Sequence, residues 1–387
     1  MALNSYDTLG SASRQALSRR AWSDILHKKV QDKLVLKKMG FIGPDQGDED
    51  GIEDVNAYYP IIQKTELGKD GGDRITLPML NQLSGAGISG NNALKGSEEQ
   101  MNFQSFDVYI EMLRNATGFT YKMSKNRNKF HAKNKISDLL ADWMAQKMDN
   151  SFFDAMYRGY SAHVIANYTA LSAVAHPNLF IQDGANFFAY GVSNGGTVMD
   201  YRSLTSSDSF STATLEAMAT WAEDNNINPC RMDNGEEGII AIVHPYQLQQ
   251  LRQDADWVAS NRLAGVRGME NAIFSRAEGM YAGVYVHTTK KVESVTDETD
   301  GVTSVANGAS VRLAVCLGAH SIARALGQKP EMVKRDDTDY GQIEAYGMDS
   351  IWGDSRADWV SDDGSSTKTN QSSSVWGTYS ANPITLT

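Results

Sequence analysis

The sequence predicts an α+β fold of two lobes with a projecting arm, on three observations. Residues 130–157 carry Ile136, Leu139, Leu140, Trp143, Met144, Met148 and Phe152 at helical spacing, with no glycine or proline before Gly159, so one helix of unusual length is expected. At 1.5 Å per residue it spans roughly 40 Å, more than an ordinary domain needs. Residues 81–100 are a polar, glycine-rich excursion too hydrophilic to collapse on itself, and loops this long usually contact something else. Residues 212–329 alternate helices with short buried strands, the texture of an α/β lobe. A projecting loop paired with a rigid spine suits a subunit that grips its neighbours.

The elements follow in order. A first helix is expected over 16–39, with Leu17, Ala21, Ile25, Leu26, Val30 and Leu34 apolar and Lys37 and Lys38 in the last turn before Gly40. An acidic, glycine-containing stretch then separates it from the rest. Residues 58–64 and 74–80 read as strands, with Pro60 and Pro78 favouring sheet edges, and Phe103, Phe106, Val108 and Ile110 mark another. Residues 161–211 mix aromatics with Gly, Asn and Ser and read as an irregular insertion. Beyond it, Leu215, Met218, Ala219 and Ala222 give a helix, 238–244 a buried strand, and Pro245 the first residue of a helix carrying Leu248 and Leu251. Residues 281–288 and 311–317 read as strands, 319–326 as a short helix stopped by Gly327, and 331–359 as a mixed strand pattern. The Ser/Thr/Asn-rich stretch 361–374 reads as a tail without its own core.

Composition narrows the classes. The chain has 387 residues, 41% of them hydrophobic, enough for a substantial core. The first thirty residues do not resemble a secretory signal, because Arg14, Arg19 and Arg20 precede an amphipathic pattern. The longest apolar runs are strand-sized, so no membrane span is expected. Cys230, beside Pro229 in an expected loop, and Cys316 suit a reducing cytoplasm and offer neither a disulfide framework nor a metal-site spacing. A net charge of -11 argues against a protein that coats nucleic acid over its whole surface. Charge is segregated all the same. Residues 14–38 hold eight Lys/Arg against Asp24 and Asp32, residues 114–135 hold seven Lys/Arg and no acid, and Asp45, Asp48, Glu49, Asp50, Glu53 and Asp54 lie between. These blocks read either as solvated faces or as complementary contacts between subunits.

Catalytic patterns fail on context. Gly85, Gly87 and Gly90 fit G-x-G-x-x-G, with Asp107 near the ribose-binding distance, but the glycines follow Pro78 and polar or small residues instead of a strand end, and no helix begins after Gly90 to hold a pyrophosphate. Gly191-Val-Ser-Asn-Gly195 fits the nucleophile elbow around Ser193, yet the following residues are poor helix formers. Asp254 or Asp256 with His287 or His320 could be nominated to complete a triad. The histidines are scattered without metal-site spacing. Asp48, Asp50 and Gly51 resemble part of a calcium loop, but Gln46 and Ala57 occupy ligand positions. No catalytic, cofactor-binding or metal residue is assigned, and no cofactor is expected.

Several segments together resemble a known family. They are Arg74-Ile-Thr-Leu-Pro-Met-Leu with Leu94-Lys-Gly; Ile242-Val-His-Pro-Tyr-Gln-Leu-Gln-Gln-Leu; Ala272-Ile-Phe-Ser-Arg-Ala-Glu-Gly-Met-Tyr-Ala-Gly-Val; and Leu317-Gly-Ala-His-Ser-Ile-Ala-Arg-Ala-Leu-Gly with Asp339-Tyr-Gly. With the order of basic helix, extended loop, long helix and α/β lobe, the chain resembles the major capsid proteins of tailed phages, of HK-ninety-seven-like fold, and within them the N-four-type capsid family. The resemblance implies an N-terminal arm (1–54), an extended loop (73–106), a peripheral domain (55–72, 107–211 and 330–360) with its spine helix at 130–158, an axial domain (212–329) and a C-terminal tail (361–387). It implies a virion shell protein assembled in the bacterial host cytoplasm, with itself as partner in hexamers and pentamers. A scaffolding protein, a portal, decoration proteins and packaged double-stranded DNA, bound without sequence specificity, are the further partners it implies, and no membrane. Candidate inter-subunit contacts are Arg19, Arg20, Lys28, Lys29, Asp48, Glu49, Asp50, Arg74, Leu94, Lys95, Glu98 and Glu99. The rival readings are a serine hydrolase using Ser193 and another phage structural subunit, such as a tail or decoration protein.

Overall fold

Ala132–Arg158 is one uninterrupted helix of 27 residues, and two separate cores form along it. The computed structural model describes residues 23–43, 59–65, 67, 71–80, 87–89, 98, 103–119, 132–168, 171–184, 186–194, 197–201, 203–231, 237–263, 278–295, 311–335, 344–361, 368–370 and 372–380. In its first half the spine helix turns Ile136, Leu140, Met144 and Met148 toward Met332, Tyr346, Met348 and Trp352 of a four-stranded sheet. In its second half Phe152, Phe153, Met156 and Tyr157 meet Ile240, Ile242, Leu313, Val315 and Val375 of an eight-stranded sheet. The four-residue spacing of 136, 140, 144 and 148, and of the pairs 152/156 and 153/157, keeps one stripe facing each sheet in turn.

The spine sheet runs Ile61–Lys64, Ile322–Lys334, Glu344–Arg356, Glu111–Phe119. Its first pairing is parallel and the other two antiparallel. A smaller arm sheet, ordered Lys368–Thr369, Trp359–Ser361, Phe103–Tyr109, Arg74–Leu80, lies on the spine sheet's other face, where Phe106 and Val108 pack with Ala323, Ala325 and Trp359. Pro60 and Pro78 both belong to edge positions, as expected, since Ile61–Lys64 and Arg74–Leu80 end their sheets.

The core sheet runs Gly279–Tyr281, Val284–Thr288, Glu237–Val243, Val311–Leu317, Ser373–Tyr379, Leu179–Asp183, Asn186–Ala189, with Cys230–Arg231 beside Glu237–Val243. Alternation along its strands separates two faces. Ile240 and Ile242 join the spine helix, while Ala241, Val243, Ala314, Cys316 and Trp376 pack against helices Thr212–Asp224, Pro245–Leu251 and Ala255–Leu263 through Leu215, Met218, Leu248, Leu251 and Trp257. Pro245 opens its helix behind the His244 cap, as its sequence position predicts. Residues 281–288 prove to be a hairpin, because Ala282 and Gly283 take φ of 49° and 79° and turn the chain between Gly279–Tyr281 and Val284–Thr288.

Several expectations are corrected. The first helix covers 23–33 and then breaks at Leu34, which is extended, before a further turn at Val35–Lys38; residues 16–22 lie outside the described residues. That helix is not detached: Leu26, Val30 and Leu34 are buried against the spine helix, and Asp149 of the spine accepts hydrogen bonds from the Val35 and Leu36 amides at 3.1 and 3.4 Å. Residues 322–334 form a strand and not a helix ending at Gly327. Ile322, Ala323, Ala325 and Leu326 are all buried, and a strand covered on both faces shows no alternation to separate it from a helix. Glu111–Phe119, absent from the expected elements, is an edge strand. The supposed insertion at 161–211 supplies a helix, Ala162–Asn167, and two strands of the core sheet.

The largest correction concerns the tail. Ser373–Tyr379 lies inside the core sheet, antiparallel to Val311–Leu317 and parallel to Leu179–Asp183, and its small polar residues are buried. Trp376 stacks on Phe180 at 4.6 Å, meets Phe187 edge-on at 5.1 Å, and donates its indole N–H to Ser374 at 2.7 Å. Trp376→Ala should therefore cost about 3–5 kcal/mol. Urea denaturation checks this, because a tail without a core would change stability by less than about 0.5 kcal/mol.

Candidate assembly site

Where the spine helix passes between the two sheets, four buried charges hold the layers together. Arg324 donates to both carboxylate oxygens of Asp354 at 2.7 and 2.8 Å and to the Met148 carbonyl of the spine at 2.7 Å, and Ser151 of the spine also hydrogen-bonds Asp354. Two residues on, Arg356 donates to Asp358 at 2.8 and 2.6 Å and to the Met156 carbonyl at 2.8 Å. Asn370 donates to the same Asp358 at 3.2 Å, bringing in the chain just before the tail strand. All four charged residues are less than 10% exposed. Such pairs survive burial because bidentate geometry and extra carbonyl acceptors offset lost hydration. Sequence reading overlooked them, although an arginine inside the apolar run at 322–326 is the signal that could have found them.

Two histidines, His163 and His176, lie against the same region, and a third, His244, caps the Pro245 helix on the other face of the core sheet. His163 hydrogen-bonds the Trp352 carbonyl at 2.9 Å, and His176 accepts from the Asn178 amide at 3.0 Å and lies 3.1 Å from the Ser373 hydroxyl. Burial holds His163 below its ordinary range and His176 well below it, and pushes His244 down to about 4. Asp154, beside Arg158 at 2.9 Å, is pushed up by burial. Cys230 sits in a short strand and not in a loop; burial raises its thiol and lifts Cys316 to about 12, so neither is a thiolate at neutral pH.

The structure distributes the expected contact residues unevenly. Arg19, Arg20, Asp48, Glu49, Asp50, Leu94, Lys95 and Glu99 lie outside the described residues. Lys29 reaches Asp138 of its own spine helix at 2.8 Å and Ser137 at 2.9 Å, while Lys33 reaches Asp142 at 2.8 Å. The Lys29 hydrogen bond holds Asp138 below the usual carboxylate range. Lys28, Glu98 and Arg74 are exposed, with the Arg74 guanidinium 3.5 Å from Asp107 on the outward side of the arm hairpin.

Ser193 lies on an exposed two-stranded turn with Asn194 opposite Thr197 and Val198, and the next described helix begins only at Thr212. His287 is buried near the far side of the core sheet. Four strands separate it from Asn186–Ala189, the strand preceding that turn, or roughly 24 Å at the usual strand spacing. Asp254 is engaged by the Thr212 amide and hydroxyl at 2.9 and 2.7 Å. No triad is assembled among these residues. Among the described residues there is also no group of three His, Cys, Asp or Glu arranged to hold a metal, and no helix long and apolar enough to cross a membrane.

A long spine helix shared by two sheets, a projecting arm sheet and a buried ionic joint make up the described scaffold. The family model described as phage capsid protein matches residues 10–384. The chain belongs to this phage capsid family. This capsid protein is 26% identical over 268 residues to the major capsid protein of Pseudomonas phage KPP25, covering 65% of this chain and 69% of that one. Among solved structures it resembles the capsid of Ralstonia phage GP4 with a TM-score of 0.68 at 22% identity, covering 91% of this chain and 93% of that one. It also resembles the capsid of cyanophage Pam1 with a TM-score of 0.60 at 14% identity, covering 87% and 96%. The expected HK-ninety-seven-like fold and the role of tailed-phage major capsid protein, a structural component of the virion, are thus borne out.

Two predictions come from the joint of the capsid protein. Asp354→Ala leaves Arg324 buried without its counter-charge and should cost about 3–5 kcal/mol in chemical denaturation. Stability should also fall between about pH 7 and 5, measured by urea midpoints. The unfolded histidines protonate near pH 6.5, while His176 and His244 stay neutral in the fold and burial lowers His163 as well, so the unfolded state binds more protons as pH drops. Asp154 acts in the opposite sense, its contribution being lost as pH rises through its raised folded value, and His176 and His244 together outweigh it in this window.

Proposed function

We propose that this capsid protein builds an icosahedral shell from hexamers and pentamers, with its extended loop (73–106) lying on a neighbour and the lobe of 212–329 facing the capsomer centre. Double-stranded DNA lies against the inner face without sequence specificity. A scaffolding protein, a portal and decoration proteins are further partners, and assembly takes place in the host cytoplasm. The chain acts by association and carries no catalysis, a reading supported by the exposed, helix-free setting of Ser193.

One observation carries the proposal. The edge strand Arg74–Leu80 packs Ile75 and Leu77 inward on the cluster of Phe106 and Val108, while Arg74, Thr76 and Pro78 on its other face are exposed. An edge strand with an open outer face, continued by a polar loop, offers unpaired backbone and side chains to a surface outside its own core. Many such contacts, each weak, sum to a closed shell. Strand pairing further supports grouping 179–189 and 373–379 with the axial lobe and not with the peripheral domain and tail.

Negative-stain microscopy of the purified protein tests the assembly reading directly, with rings or closed particles expected. Replacing 81–100 by a short turn should leave a subunit whose melting temperature stays within about 2 °C of the parent. Light scattering should find no particles. Particles of normal size from the shortened chain would sink the loop's proposed role.

A further inference from the structure

The outer face of the spine sheet is only half covered. Near the joint, Ile351 is packed by the chain's own arm sheet, in the cluster of Phe106, Val108 and Ile110. Further along the same strands no described residue packs over this face. In-register neighbours share a face, so this uncovered surface consists of successive rows: Met112 beside Ile351; Arg114, Asp349 and Glu331; then Ala116, Gly347 and Val333. Met112 is 44% exposed and Val333 45%, two of the few large apolar side chains so exposed among the described residues. Around them lies a groove of about 680 Å³, with Arg335 at its end. On its floor Asp349 has a carboxylate oxygen shut off from solvent, with no hydrogen-bond partner among the described residues.

We propose that this groove is a docking site for a second copy of the same chain, which supplies a hydrogen-bond donor to Asp349 and apolar cover to Met112 and Val333. The proposal rests on the chain's assembling into a shell, and it adds where one of the contacts is made. Three features select this occupant. The groove continues a surface already covered by this chain's own arm sheet, so the apolar lining of one face extends from an intramolecular contact into an open one. A buried acceptor without a partner is costly, and a protein donor relieves that cost. Arg114, Lys334 and Arg335 line the groove beside the single carboxylate of Asp349, so its charges suit a protein surface that brings an acidic group to the rim and a donor to the floor, whereas a free anion would meet the Asp349 carboxylate at the floor. The small side chains of Ala116, Gly347 and Ala345 let a neighbouring backbone approach closely.

The test uses the oxidation of Met112, a solvent-accessible thioether in the free subunit. Purified subunits and particles assembled from them without nucleic acid are treated with dilute hydrogen peroxide, and sulfoxide at Met112 is followed by mass spectrometry. Assembly should slow oxidation of Met112 at least about tenfold, as full burial of a contact residue requires. In parallel, Met112→Asp and Val333→Asp should reduce particle yield by a similar factor while the subunit's melting temperature stays unchanged. Equal oxidation in subunits and particles overturns the proposal, as does protection that appears only when DNA is added. If either Asp variant fails to fold, the oxidation of the parent protein decides alone. A parent that forms no particles overturns the assembly reading and this inference with it, whereas particles with a fully reactive Met112 overturn this inference alone.

Discussion

The pairing of Arg324 with Asp354, continued two residues along by Arg356 with Asp358, is the contact on which the rest of the capsid protein depends. Both arginines reach carbonyls of the spine helix, Met148 and Met156; Asp354 lies opposite Arg324 on the neighbouring strand, and Asp358 follows that strand's end. The helix is therefore fixed in position along its axis as well as against the sheets. Apolar contact alone is non-directional and would tolerate sliding by a turn. Charged groups with fixed donors and acceptors do not tolerate it, since any shift leaves a buried charge unpaired.

From that joint the two cores follow. The first half of the helix belongs with the spine sheet and the N-terminal helix, and the second half with the core sheet. A shell subunit transmits load between its neighbours, and a continuous helix anchored in two cores resists bending between them better than two lobes on a flexible linker. The polar residues that tie in the tail, Asn370 and Ser373 with His176, extend the same network to the centre of the core sheet. Its order near neutral pH depends on histidines that stay neutral.

The charges of the N-terminal helix have a different meaning from the one their clustering suggested. Lys29 and Lys33 are matched by Asp138 and Asp142 one helix away, so part of what reads as a basic arm is the polar border of an intramolecular packing contact. Exposed pairs of this kind contribute about 0–1 kcal/mol each, and it is Leu26, Val30 and Leu34 that hold the helix in place.

The sequence by itself determined the long spine helix, the strands at 74–80 and 311–317, the Pro245 helix start, and the edge positions of Pro60 and Pro78. Each is set by local rules, whether apolar periodicity, a missing amide hydrogen or the fixed φ of proline. Segment resemblance added the capsid family. Only the tertiary structure decided that 322–334 is a strand, because its apolar run is covered on both faces and carries no period. Only it decided that the Ser-rich stretch 373–379 is a central strand, since small polar side chains suit a buried position when Trp376, Asn370 and His176 supply the packing and hydrogen bonds around them. The joint was hidden for the same reason: Arg324 and Asp354 are thirty residues apart, and nothing in either neighbourhood says that they meet until the hairpin between them closes.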